Sequence, residues 1–151
     1  MALDDDIHIL SGVKLFQGFT QEQLRLLAFG AENTFLQADR KLYLEDDDAD
    51  SAYIVVKGRI ALYREQGGER IPIGTAGPGT ILSELALIAD TNRLTSASAE
   101  IDSEVIRLSR KMFRRILEEY PELAVKLHQR ISEEFQAMIR RIEKLAPRFS
   151  G

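Results

Sequence analysis

The period of the apolar positions changes twice along the chain, and the changes divide it into three parts. Near the start, Leu24, Leu27 and Ala28 recur at helical spacing. Thr20 and Gln23 stand ahead of them with the spacing of a capping box, and Gly30 follows as a stop. From about residue 31 the helical period disappears and short runs replace it. Residues 33–44 hold Phe35, Leu42, Tyr43 and Leu44; residues 53–56 are apolar on both faces; Ile60, Ala61, Leu62 and Tyr63 follow directly. Turn chemistry separates the runs: Asp46-Asp47-Asp48, Gly58, Gly67-Gly68 and Gly77-Pro78-Gly79. Two more strands are predicted over 95–100 and 104–108, joined at Asp102-Ser103. Short strands at close spacing predict a sandwich or jelly roll.

Helical spacing returns at Ser109, a cap for a helix carrying Met112, Phe113, Ile116 and Leu117. Pro121, suited to a first helical position, restarts the chain as a long helix. In it Ile131, Phe135, Met138, Ile142 and Leu145 alternate four- and three-residue steps, the spacing of a heptad seam. That seam has two readings: a cover for the strands, or a homodimer contact through residues 128–146. The fold class is therefore α+β, mainly β: a single domain over 1–151, with N-terminal helices, a roll of strands over about 31–108 and two C-terminal helices over about 109–146.

Composition narrows the chemistry. The 151 residues include no cysteine, which excludes disulfides, thiolate metal sites and cysteine nucleophiles, and fits a cytoplasmic protein. Acidic residues outnumber basic ones, 24 to 20, for a net charge of -4, which argues against broad nucleic-acid binding. No apolar run approaches the ~20 residues of a membrane span, and the start, Asp4-Asp5-Asp6, is acidic where a signal peptide is basic. His8 and His128 stand alone, without neighbours at metal-ligand spacing. The acidic run 46–50 lacks the glycine and distal glutamate of a calcium loop and reads as a solvated turn. No nucleophile with its base is visible, so the chain reads as a non-enzyme with no cofactor and no metal.

The segment 77–97 is different. Its glycines end a strand, a short apolar stretch begins at Glu84, and a lone Arg93 follows. The first turn of a helix carries unpaired N–H groups that favour an anion. Arginine adds a planar fork matching two phosphate oxygens. The alternative for the same residues is a helix-start carboxylate and a surface cation.

This segment resembles the phosphate-binding cassette of the cyclic-nucleotide-binding domain family, which includes catabolite activators, kinase regulatory subunits and gated channels. Where the family has Phe-Gly-Glu-Leu-Ala-Leu, a loop and Arg-Ala-Ala or Arg-Thr-Ala, this chain has Leu82, Ser83, Glu84, Leu85, Ala86, Leu87, a loop, then Arg93, Leu94 and Thr95. Residues 15–24, the hairpin 53–60 and the helices around Phe113 and 118–123 extend the resemblance over about residues 10–145. It implies a β-roll that senses a cyclic nucleotide. Glu84 would hold the ribose 2′-hydroxyl, Arg93 the cyclic phosphate, and amides around Leu85, Ala86 and Leu94 would complete a site formed by Leu82–Ala86 and Arg93–Thr95. Ser83 replaces the family's glycine, Leu82 its phenylalanine and Asn92 its proline. The acidic turn is expected outside the pocket. Leu94 lacks the hydroxyl that follows the arginine in cyclic-GMP-selective members, and apolar Met138 and Ile139 are expected at the base, which favours cyclic AMP over cyclic GMP. No helix-turn-helix is visible, so no DNA is expected as a partner and the output would pass to an effector protein. The alternative is a non-binding scaffold of the same fold, kept for dimerisation or docking.

Overall fold

The computed structural model describes residues 2–145, with side chains from residue 5 onward. Helix α1 spans Ala2–Ser11 and α2 spans Gln21–Phe29. The capping box forms at the start of α2. Thr20 Oγ1 accepts from the Gln23 amide at 3.2 Å, and Gln23 Oε1 accepts from the Thr20 amide at 2.8 Å. Ten strands follow: β1 Glu32–Leu36, β2 Lys41–Tyr43, β3 Asp48–Ala49, β4 Ser51–Lys57, β5 Ile60–Gln66, β6 Glu69–Ala76, β7 Ile81–Leu82, β8 Thr91–Asn92, β9 Ser96–Ala99 and β10 Ser103–Ser109. Helices α3 (Arg110–Glu119) and α4 (Pro121–Leu145) end the described chain.

The strands build a β-roll from two antiparallel four-stranded sheets, ordered β1-β10-β4-β7 and β2-β9-β5-β6, with β3 and β8 paired as a small third sheet. The stretch 33–44 thus supplies two strands to two different sheets, turned at Asp39, whose φ is 72°. Side-chain alternation explains why residues 53–56 are apolar on both faces. Ala52 and Ile54 join Ile106 and Leu108 of β10 in the core shared with α1–α4. Val55 and Val105 point into the roll, with Leu62, Ile73, Ala97 and Ala99.

Helix α4 crosses both cores. Leu127 and Ile131 are buried with the helices, while Ile142 is buried with the roll. Arg130 Nη1 donates to the carbonyls of Leu15 (2.9 Å) and Gln17 (2.8 Å), tying α4 to the 3-10 turn Lys14–Phe16. The seam is therefore used within the protomer: Ile131 and Ile142 are fully buried, Phe135 and Met138 are half-buried, and only Leu145 is exposed. Its buried positions pack within the protomer, Ile131 against the helices and Ile142 against the roll.

Candidate functional site

The segment between β6 and β9 forms one wall of a cavity. Gly79, at φ 88°, turns the chain; its amide donates to the Val55 carbonyl at 2.8 Å, and the Val55 amide donates to the Thr80 carbonyl at 3.0 Å. This anchors the segment to β4 before β7 begins. Ser83 sits in the left-handed region (φ 62°, ψ 40°) at the head of a 3-10 turn, Glu84–Leu87. The sequence suggested one or two turns of helix here; the observed element is this single tighter turn. The unusual φ at 83 is the physical reason a glycine suits this position, since a side chain there costs on the order of 1 kcal/mol.

The cavity has a volume of about 240 Å³. Leu82, Ser83, Glu84, Leu85, Ala86, Leu94 and Thr95 all line it, which brings seven of the eight sequence-nominated residues together. Helix α4 closes the opposite side with Glu134, Phe135, Ala137, Met138 and Arg141. Met138 lines the cavity and Ile139 does not. Arg141 adds a cation the sequence reading did not anticipate, within contact of β6 at Gly74.

Arg93, the eighth residue, is turned inward. It is only 4% exposed, and it does not line the cavity. Its Nη1 donates to the Ser51 carbonyl at 2.7 Å and its Nη2 to Ser51 Oγ at 3.4 Å, while Nε is buried without a hydrogen-bond partner. The guanidinium carbon lies 4.5 Å from the ring centre of Tyr43 and 5.4 Å from that of Tyr53, and the two rings stack at 5.9 Å. Tyr43 does line the cavity, and its hydroxyl accepts from Ser83 Oγ at 3.3 Å. Burial pushes the Tyr43 phenol pKa up.

Glu84 faces the lid helix. Burial in the cavity wall, reinforced by the Glu134 carboxylate from α4, raises its pKa to about 7. The carboxyl is therefore poised between its neutral and charged forms near neutral pH, able to donate or accept a hydrogen bond.

Two features escaped the sequence reading. The acidic turn is not merely solvated: the Asp46 amide donates to the Arg93 carbonyl at 2.9 Å and the Arg93 amide donates to the Asp47 carbonyl at 2.8 Å. Ala49 also lines the cavity, which corrects the expectation that this turn lies outside it. The second is Arg110. Its Nη1 donates to the carbonyls of Ala49 (3.0 Å), Ala86 (3.3 Å) and Ala89 (2.8 Å), and its Nη2 pairs with Asp90 at 2.7 Å. No motif marks it; only its place at the first position of α3 aims it at the cassette.

Among the described residues no histidine, aspartate and glutamate cluster fits a metal ion, and no helix is long and apolar enough to cross a membrane. No DNA-binding domain is evident among them either.

Known proteins share this architecture. A solved structure of a cyclic nucleotide-binding-like protein from Brucella abortus is 58% identical, covering 76% of this chain and 99% of that one, with a TM-score of 0.70. The regulatory domain of Toxoplasma gondii PKA, crystallised with cAMP, matches at 24% identity over 76% of this chain and 44% of its own, with a TM-score of 0.71, a likeness of fold. Neuropathy target esterase sws of Drosophila persimilis is 34% identical over 102 residues, 67% of this chain but 7% of the esterase, so the match is confined to a small part of that enzyme. The model of the family described as "Cyclic nucleotide-binding domain" matches residues 34–120, more than half the chain. By that match, and by the β-roll that carries it, the chain belongs to the cyclic nucleotide-binding domain family.

Proposed function

We propose that this chain is a non-catalytic, cytoplasmic sensor. It binds a cyclic nucleotide in the cavity between residues 82–95 and α4, and passes the bound state to an effector protein. The observation that carries this reading is Arg93. It is a buried cation with no carboxylate partner among the described residues and with one donor unsatisfied. A buried charge without a counter-ion is costly, and an anion arriving beside it relieves that cost. Glu84 lines the cavity, where it can take a sugar hydroxyl. Ala49, Leu85, Leu94 and Met138 offer apolar surface to the rest of the ligand. This pairing of one buried cation with one poised carboxyl suits a sugar bearing a cyclic phosphate.

Leu94 brings no hydroxyl toward the base, which favours cyclic AMP over cyclic GMP. Arg141 on α4 is a polar group within reach of the cavity and is the residue on which base preference would turn. Titration calorimetry with the two nucleotides tests the reading: micromolar binding of cyclic AMP and weaker binding of cyclic GMP are expected, about 8 kcal/mol for the former. Tighter binding of cyclic GMP would reverse the preference. No heat with either at millimolar concentration, in a folded protein, would leave the scaffold reading instead. A homodimer through residues 128–146 belongs to the same reading. It would use the outward side of α4, where Ser132, Gln136 and Glu143 are exposed around half-buried Ile139. A monomer by light scattering at micromolar concentration, with and without nucleotide, removes it.

A further inference from the structure

Tyr43 contacts both the cavity and Arg93. Tyr43 lines the cavity while Arg93 does not, and the guanidinium lies 4.5 Å from the centre of the Tyr43 ring. Tyr43 is itself 9% exposed, its ring stacked on Tyr53 and fixed at its far end by the 3.3 Å hydrogen bond from Ser83 Oγ. Arg93 is held from behind by the Ser51 carbonyl. The volume of about 240 Å³ is below the ~300–1,000 Å³ of ligand pockets in general, so a ligand of nucleotide size needs a wall to move. Of the two aromatic residues in the wall, Tyr43 and Phe135, Tyr43 is the one against Arg93, and its displacement would both enlarge the cavity and uncover the cation.

We propose that Tyr43 is a gate on this site: its ring, latched by Ser83, screens Arg93 from the cavity and lowers the affinity for an anionic ligand. The proposal rests on the reading that the cavity takes a cyclic nucleotide. Tyr43 is a positioning residue in this scheme. Its aromatic face holds the guanidinium in place by a cation–π contact while no anion is present, and a phosphate competes for the same cation. Ser83 acts through Tyr43, so its hydroxyl restrains the gate and need not touch the ligand.

The test compares the wild type with Tyr43→Phe, which removes the latch and keeps the ring, and Tyr43→Ala, which removes both. Two quantities are read: the affinity for cyclic AMP by calorimetry, and the solvent exchange of the Arg93 Nε–H by NMR without nucleotide. Tyr43→Ala is expected to speed that exchange and to tighten binding about tenfold, with Tyr43→Phe between it and the wild type. Unchanged exchange in folded Tyr43→Ala overturns the gate whatever the affinity does. Faster exchange with unchanged or weaker binding, in a wild type that binds, also overturns it. Faster exchange with no binding by any form leaves the screen over Arg93 standing and fails the sensor reading instead. If Tyr43→Ala does not fold, Tyr43→Leu, which keeps apolar volume without a ring face, replaces it with the same expectations.

Discussion

Arg93 Nη1 donates to the main-chain carbonyl of Ser51 at 2.7 Å, across 42 positions of sequence. That bond joins the loop that follows the cassette turn to the start of β4, and the adjacent residue Asp50 in turn accepts at its carbonyl from the Arg110 amide at 2.8 Å. One short stretch of backbone, Asp50-Ser51, therefore connects the cation of the site to the first residue of α3.

Arg93→Ala should weaken cyclic AMP binding about ten- to a hundredfold, since a hydrogen bond to a charged group contributes about 1.5–3 kcal/mol. Arg93→Lys should recover only part of the loss, because a lysine ammonium lacks the planar fork. Calorimetry on both variants checks this. An unchanged affinity in Arg93→Ala would take the residue out of the site.

Arg110 predicts a different phenotype. It satisfies three carbonyls, those of Ala49, Ala86 and Ala89, which belong to the turn, the cassette and the loop after it. Arg110→Ala should lower stability by about 1–3 kcal/mol by leaving partly buried carbonyls unpaired. Asp90→Ala should change little, because the Asp90 side chain is 97% exposed and its ion pair is screened. Chemical denaturation of the two variants separates them. Equal losses would mean that the ion pair, and not the carbonyl contacts, carries the effect.

How legible these arrangements are in sequence depends on what fixes each one. The capping box at Thr20 and Gln23, the two-faced strand β4 and the cap at Ser109 are local, so spacing alone reveals them. The cassette residues were found because the segment 77–97 breaks the surrounding pattern with glycines, a carboxylate and one arginine. The direction of the Arg93 side chain was not legible. It depends on Tyr43 and Ser51, which are 50 and 42 positions away, and on a ring contact that no spacing encodes. The same holds for β3 and β8, two residues each, whose pairing depends on backbone bonds between Asp47 and Arg93 rather than on any propensity. The α4 seam illustrates the limit of periodicity. A stripe at heptad spacing marks an apolar face, but what covers each position, the helices at Ile131 and the roll at Ile142, is a tertiary fact.

Gly58 tests the hairpin between β4 and β5. Its φ is 91°, and a Cβ there would collide with the Ser103 side chain and lie 2.7 Å from the Asp102 carbonyl. Gly58→Ala should therefore destabilise through both backbone strain and collision, by about 1–3 kcal/mol, a value that lowers Tm by several degrees. Gly68→Ala, at φ 82° with open space around it, carries only the backbone part and should lose less. A thermal scan in which the two lose equally would show that the collision at Ser103 is relieved by movement of the turn.

Glu84 gives the pH dependence. Its folded pKa is raised, first by burial and then by Glu134, from 4.5 to about 7. The folded state therefore holds this proton more tightly than the unfolded chain does. Below the unfolded value both states are protonated and the stability linked to this group is fully present. Between about 4.5 and 7 it declines as the pH rises. Above the folded value it is lost, because both states are ionised and the folded one holds a carboxylate in a poorly solvated wall beside a second carboxylate. Glu84→Gln removes the titration. The variant should match the wild type in stability near pH 5 and exceed it at pH 8, by at most about 3 kcal/mol at ~1.4 kcal/mol per pKa unit. Glu134→Gln should give a smaller gain in the same direction, since it removes only the second cause. Cyclic AMP binding adds an opposite signature: a ribose hydroxyl donating to the Glu84 carboxylate favours the ionised form, so binding near pH 7 should release protons from this group. Denaturation midpoints of the three proteins between pH 5 and 8, with calorimetry in two buffers of different ionisation heat, read both effects. A wild type and Glu84→Gln with parallel pH profiles would show that Glu84 is already ionised in the folded protein and that its wall is better solvated than its burial implies.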